Sequence, residues 1–255
     1  MIVILSPAKR LNFNLPNIAG KHTIPVYLDS SEKIANVLKK YSARKLKKLM
    51  NINENLAESN YERFQRWTPD FNEEVAKPAI LAFRGDVFLG MDPHSFKKGD
   101  FDFSQDHVRI LSGLHGILKP LDLIRPYRLE MGTNLKIGRT RNLYEFWHVK
   151  ISEEITGSAA YKKDKTVINL ASKEYFSAVD TKLVQGRIIE PAFKEYRNGT
   201  YRPIHIFMKR ARGLMTAYIV KNRLDDPEKL KLFNVDGYEF NDRLTEGDQW
   251  VFTRG

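Results

Sequence analysis

The chain contains no cysteine among its 255 residues. Disulfides, thiolate catalysis, cysteine-ligated zinc and iron–sulfur clusters are therefore excluded at the outset, and so is thiol peroxidase chemistry. Its six histidines, at 22, 94, 107, 115, 148 and 205, show neither HxH nor HxxxH spacing. A histidine-based metal site is not expected, and no cofactor is called for. No apolar run approaches the roughly 20 residues of a membrane span. Ile2–Leu5 is too short for the core of a signal peptide and is followed at once by Ser-Pro-Ala-Lys, so a cytoplasmic protein without a membrane partner is expected.

Negative charge is also missing where it would be most useful. From Tyr196 to Leu224 there is no carboxylate, while Arg197, Arg202, Lys209, Arg210, Arg212, Lys221 and Arg223 are all positive. The formal net charge of the whole chain is +11. Like charges repel unless an anion lies opposite, so the balance favours nucleic acid or acidic metabolites as partners. A solvated basic face is the plainer alternative.

Hydrophobic periodicity places Lys209–Arg223 on a helix. Ala211, Leu214, Met215, Tyr218 and Ile219 then form the core stripe, with Lys209, Arg212 and Arg223 opposite and Arg210 and Lys221 flanking them. Gly213 sits inside this helix, where glycine costs roughly 1 kcal/mol relative to alanine. Two reasons could justify it: close approach of a phosphate backbone, or tight packing of a second helix.

Strands and helices alternate along the chain without repeats or a clear linker. The expected fold is α/β, in the mixed α+β sense: one domain over 1–255 around a mixed sheet. Expected strands are residues 2–5, 79–83, 167–170, 237–240 and 250–253. A hairpin is expected over 188–208, turning at Asn198-Gly199. Expected helices are 29–48, 53–67, 104–111 and 173–179, with Ser172 as N-cap of the last. Six cations in 39–48 read as a solvated helix face or a nucleic-acid contact.

The most patterned segment runs from Val108 to Gly132. Ser112, Gly113, Leu114 and Gly116 resemble the turn of a helix-hairpin-helix element, in which backbone N–H groups face phosphates. The second glycine falls one place late, after His115. His115 and Tyr127 could stack on unpaired bases or be packed inside.

The strings SPAK (6–9), AFRGDVFLG (82–90), LSGLHGILKPLDLIRPYRLEMG (111–132), INLASKEYF (168–176), ARGLM (211–215) and GYEF (237–240) resemble the YaaA family of bacterial proteins. The similarity runs in order from about residue 2 to residue 253. It implies a peroxide-stress role and a fold peculiar to the family. It also implies binding of duplex or distorted (branched) DNA through a positive cleft with a helix-hairpin-helix element, and no established catalysis.

Carried over string by string, the resemblance marks Lys9, Lys119, Arg128, Glu130, Asn169, Ser172, Glu174, Tyr175, Lys209 and Arg212. The chain departs from the family pattern at His115, at His148-Val149 and at Ala217, where an arginine is common.

Two functions follow as expectations. The first is DNA binding through Lys9, Ser112, Gly113, Leu114, Gly116, Lys119, Arg128, Lys209, Arg210, Arg212 and Gly213, dominated by phosphates and hence indifferent to base sequence. The alternative is an enzyme acting on a phosphorylated or acidic small molecule or nucleotide, with Lys9, Glu130, Glu174, Tyr175 and Arg212 supplying acids, bases and anion clamps. Convergence of these side chains on one pocket favours the alternative; dispersal weakens it.

Overall fold

The first strand organises the molecule. Ile2–Leu5 is apolar at every position, and each of its side chains is fully buried. Such a run suits a strand covered on both faces, as in parallel sheets. In the computed structural model, which describes residues 1–14 and 16–255, it pairs in parallel with Val108–Ser112 on one side and Thr166–Asn169 on the other. Gly116–Leu118 extends the sheet beyond Val108–Ser112, antiparallel to it. Arg187–Ile189 extends the other edge in parallel with Thr166–Asn169.

A second sheet has the order Thr200–Arg202, Ala192–Arg197, Val251–Arg254, Glu239–Phe240. It is mixed: Ala192–Arg197 and Val251–Arg254 are parallel, and both outer pairs are antiparallel. Phe193, Phe233, Tyr238 and Phe252 pack edge-to-face and stacked against one another to form its core. The fold is mixed α/β, as expected from the alternation of strands and helices.

Connectivity places a crevice. Ile2–Leu5 is followed in its sheet by Val108–Ser112 on one side, and the chain then crosses to Thr166–Asn169 on the other. The order reverses between Ile2–Leu5 and Thr166–Asn169. At such a switch point, the segments leaving the strands' carboxyl ends diverge and open a ligand-sized space.

Several expectations are corrected. Val108–Ser112 and Gly116–Leu118 are strands joined by a tight turn, so no helix-hairpin-helix exists here. The preceding helix is Lys98–His107 and stops before Val108. Burial between neighbouring strands overrides the helical reading of 104–111, where β-branched Val108 and Ile110 favour extension. Ser112, Gly113, Leu114 and Gly116 are all buried, out of reach of a phosphate backbone. Their glycines have packing reasons instead. A Cβ on Gly113 would lie 2.4 Å from the Leu129 carbonyl oxygen, and Gly116 has φ +70° beneath the Trp147 ring. Left-handed backbone of this kind favours glycine.

Residues 79–83 do not form one strand. Ala79–Ala82 makes a single helical turn, and Phe83–Arg84 pairs with Arg10–Leu11. A short apolar run has no periodicity to separate the two states. The 29–48 helix is two, Leu28–Lys39 and Ala43–Met50, with Ser42 capping the second through Lys45 N–H. The hairpin does turn at Asn198-Gly199, but its second strand is only Thr200–Arg202. Pro203 follows, and a helix begins at His205.

His115 is fully buried. Its Nδ1 lies 2.9 Å from Ser31 Oγ, and its ring packs edge-on against Phe71 and Tyr127. It is therefore a core residue and cannot stack on a base. Burial lowers its pKa from 6.5 to about 3. Below pH 6.5 the unfolded chain takes up a proton that the folded chain refuses, so this side chain costs stability as pH falls from 6.5 towards 3. The slope is about 1 kcal/mol per pH unit. Urea melts of the wild type and His115→Phe between pH 7 and 5 test this. The difference in unfolding free energy should change in the variant's favour by that slope, and a pH-independent difference would count against a neutral buried ring.

Candidate functional site

A cleft of about 750 Å³ opens at the switch point. Its floor begins where the first strand ends: Ser6 Oγ accepts a hydrogen bond from Ser172 N–H at 2.8 Å and donates to Ser172 Oγ at 3.2 Å. This contact ties the exits of the two parallel strands across the reversal in strand order. Asn169 fixes the second exit, accepting from Ala171 N–H and donating to Glu190. Ser172 does occupy the N-cap position of Lys173–Phe176, but its side chain makes no cap hydrogen bond.

The remaining walls come from segments far apart in sequence: the Ser-Pro-Ala-Lys turn, residues 84–89, residues 127–130, and the helix His205–Lys221. That helix is held by backbone contact. It crosses the short helix Asp86–Met91 so closely that a Cβ on Gly213 would lie 1.9 Å from the Val87 carbonyl oxygen. A Cβ on Gly90 would lie 2.2 Å from the Arg210 carbonyl oxygen. Gly213 is thus there for helix packing, and the expected phosphate approach at this residue is overturned. Lys209 and Arg212 on this helix line the cleft together with Arg84.

Six cations line the cleft: Lys9, Arg10, Arg84, Arg128, Lys209 and Arg212. Three carboxylates, Asp86, Glu130 and Glu174, line it too. Glu130 bridges two of the cations, with Lys9 Nζ at 2.9 Å and Arg128 at 2.8 Å. Glu174 accepts from Gly132 N–H at 3.1 Å. Arg10 and Arg84 face each other across a two-residue antiparallel pair. Among the described residues, Arg10, Arg84 and Lys209 make no ion pair, and all three are exposed.

Arg212 is half-buried. Burial lowers the pKa of its guanidinium, partly offset by nearby Glu190, and its Nε has no hydrogen-bond partner among the described residues. Arg128 Nε is buried and equally unpartnered. Such donors are costly to leave unmade. Tyr175 is buried, and its phenol is pushed well above the usual range by burial, then by Tyr127, Glu174 and Glu130. Tyr127 is pushed up by burial, although Ser112 Oγ lies 2.6 Å from its hydroxyl. Both phenols are held protonated near neutrality.

The cleft gathers Lys9, Arg128, Glu130, Ser172, Glu174, Tyr175, Lys209 and Arg212 from the expected residues. It does not gather the rest. Lys119 pairs with Glu154 at 3.8 Å outside the lining, and exposed Arg210 gives only its backbone to the Gly90 contact. Lys221 donates to Ser95 Oγ. Arg223 lies beyond the helix end, with its guanidinium 2.7 Å from Asp100. The acid-free segment therefore does not make one continuous basic stripe. Sequence reasoning missed Ser6, Arg10, Arg84 and Asp86, although all but Arg10 stand inside strings that carried the resemblance.

A family model described as peroxide stress protein YaaA matches residues 1–244. The chain belongs to this family. It is 47% identical over 254 residues to a UPF0246 protein of Saccharophagus degradans, covering 100% of this chain and 99% of the relative. It is 45% identical, with the same coverage, to a UPF0246 protein of Teredinibacter turnerae. Among the described residues, no helix is long and apolar enough to cross a membrane.

The two uses of Gly213 make opposite predictions. Gly213→Ala gains helix propensity but drives a methyl group into the Val87 carbonyl, which should cost about 1–3 kcal/mol. The expected result is a Tm lower by roughly 5 °C in differential scanning calorimetry. An unchanged or raised Tm would show that the crossing is not tight.

Proposed function

We propose that this protein takes part in the peroxide-stress response by binding DNA through its phosphates in the switch-point cleft. The observation that carries the reading is the gathering of six cations against three carboxylates on the walls of one cleft. Arginine guanidinium groups match phosphate oxygens as forks, and Arg10, Arg84, Arg128 and Arg212 supply four of them. Contacts of this kind position a strand without reading its bases. A volume near 750 Å³ suits a ligand-sized group better than an enclosed duplex. The geometry thus favours a strand segment at a distorted site or an end over intact double helix.

A second reading has its own support: Lys9, Glu130, Glu174, Tyr175 and Arg212 all line this one cleft, the convergence that favours an enzyme. Glu130 lies within hydrogen-bonding reach of Lys9, beside the Ser6–Ser172 contact at the strand exits, where α/β enzymes hold substrates. An enzyme acting on a phosphorylated or acidic small molecule would find a carboxylate, an amine and anion clamps in one place.

Fluorescence anisotropy over a salt series tests the first reading. Affinity should fall steeply with salt on all sequences alike, and Arg84→Ala with Lys209→Ala should reduce the log–log slope by about 2. A flat salt response, or no binding at low salt, ends it. Glu130→Gln separates the two readings. Removing this charge frees Lys9 and Arg128, so DNA should bind several-fold tighter and the slope should steepen by about 1. For an enzyme the same change should abolish turnover of its phosphorylated substrate without tightening DNA binding.

A further inference from the structure

A second chamber of about 200 Å³ adjoins the cleft, and Arg84, Phe88 and Leu89 line both. Its chemistry differs from that of its neighbour. Leu81, Phe83, Phe88, Leu89 and Pro93 make the walls largely apolar. The rings of Phe83 and Phe88 lie 5.3 Å apart at 37°. The rim is polar, formed by Asn12, Asp92 and His94. His94 is exposed, yet partial desolvation of its ring and nearby Lys77 hold its pKa below the ordinary histidine value, against the opposing pull of Asp92. Its imidazole is thus neutral at pH 7 and able both to donate and to accept.

An amphiphilic ligand is needed to use the two chambers together. One end must carry phosphate charge for Arg10, Arg84, Arg128 and Lys209. The other must be flat and apolar on its faces, with hydrogen-bonding groups at its edge. A nucleotide meets both demands, because its base has π faces for aromatic walls and a polar rim for Asn12, Asp92 and His94. Inorganic phosphate or a sugar phosphate fills only the first chamber. A base stacked in a duplex cannot enter the second.

We propose that the paired chambers bind one unstacked nucleotide, its phosphate in the charged cleft and its base in the apolar chamber between residues 81–94. The inference rests on the phosphate-binding reading of the cleft and names the unit that the cleft accepts. Arg84, at the junction, contacts the phosphate side and closes over the sugar. Leu89, 54% exposed on the same junction, covers one face of the base.

The experiment compares three labelled duplexes by anisotropy: fully paired, with one unpaired adenine, and with a tetrahydrofuran abasic residue at that same unpaired position. The unpaired adenine should bind about 5- to 150-fold more tightly than the abasic residue, the range that base stacking supplies. Leu89→Ser and His94→Ala both change exposed side chains, and each should bring that ratio towards one. Equal affinities in the wild type, with a steep salt slope retained, would overturn the base chamber and leave the DNA reading standing. So would a ratio that neither substitution moves.

If no duplex binds at low salt, the DNA reading fails by itself. Calorimetry with adenosine 5′-monophosphate and ribose 5-phosphate then decides the inference. Tighter binding of the nucleotide, reduced by Leu89→Ser, supports a free nucleotide as the source; equal binding or none overturns it.

Discussion

The candidate site depends on one close crossing of backbones. Gly90 and Gly213 let Asp86–Met91 and His205–Lys221 touch main chain to main chain. Interiors are packed too densely for a methyl group to be absorbed at such a contact without displacement. The crossing joins the segment that follows Arg84 to the helix that carries Lys209 and Arg212; among the described residues no hydrogen bond or ion pair links these three side chains. It also orients Phe88 and Leu89, the two apolar residues common to both chambers. A shift of the basic helix would therefore change the charged cleft and the apolar chamber at once. Ala211, Met215 and Ile219, fully buried on the inner face, anchor the helix in that position.

The second constraint is topological. A parallel sheet whose strand order reverses must open a crevice at its carboxyl edge, and here the Ser6–Ser172 contact spans it. The turn after the first strand then has nowhere to place Lys9 and Arg10 except over that opening. Residues 127–130 arrive there because Tyr127 is buried with its hydroxyl 2.6 Å from Ser112 Oγ, on a strand of the central sheet. The hairpin once assigned to phosphate contact thus serves the cleft indirectly, by holding Tyr127 and hence Arg128 and Glu130.

What was legible in the sequence follows the strength of each local signal. Ile2–Leu5, Thr166–Asn169 and the turn at Asn198-Gly199 announce themselves, because an uninterrupted apolar run and a two-residue turn pair have few structural alternatives. Residues 108–118 misled, since Ser-Gly-Leu-His-Gly fits both a phosphate-facing turn and a tight strand connection. Only the burial of Leu114 and His115 separates them, and burial is a property of the whole fold. The acid-free basic segment was real in composition but not as a surface, because Arg223 found Asp100 more than a hundred residues away in sequence. Lys9, Arg128, Glu130, Glu174 and Arg212, which the family resemblance marks, come to line one cleft because the strings that carry them converge there. Arg10 and Arg84 escaped because their pairing is non-local.

The carboxylates in the cleft look at first like an argument against a phosphate ligand. Six cations brought to one cleft of about 750 Å³ would repel one another, least screened at half-buried Arg128 and Arg212, and the folded state would carry that cost permanently. Glu130, shared between Lys9 and Arg128, relieves part of it and holds both cations in place. The cleft still keeps a positive excess, six cations against three acids. Lys9 is 64% exposed in its pair, where the attraction to Glu130 is weak after solvent screening. A strand phosphate, whose single charge is shared by the neighbouring cations of the cleft, can therefore compete for it. Mixed sign is in this sense what allows the cations to be gathered before the ligand arrives, with the ligand left as the stronger partner.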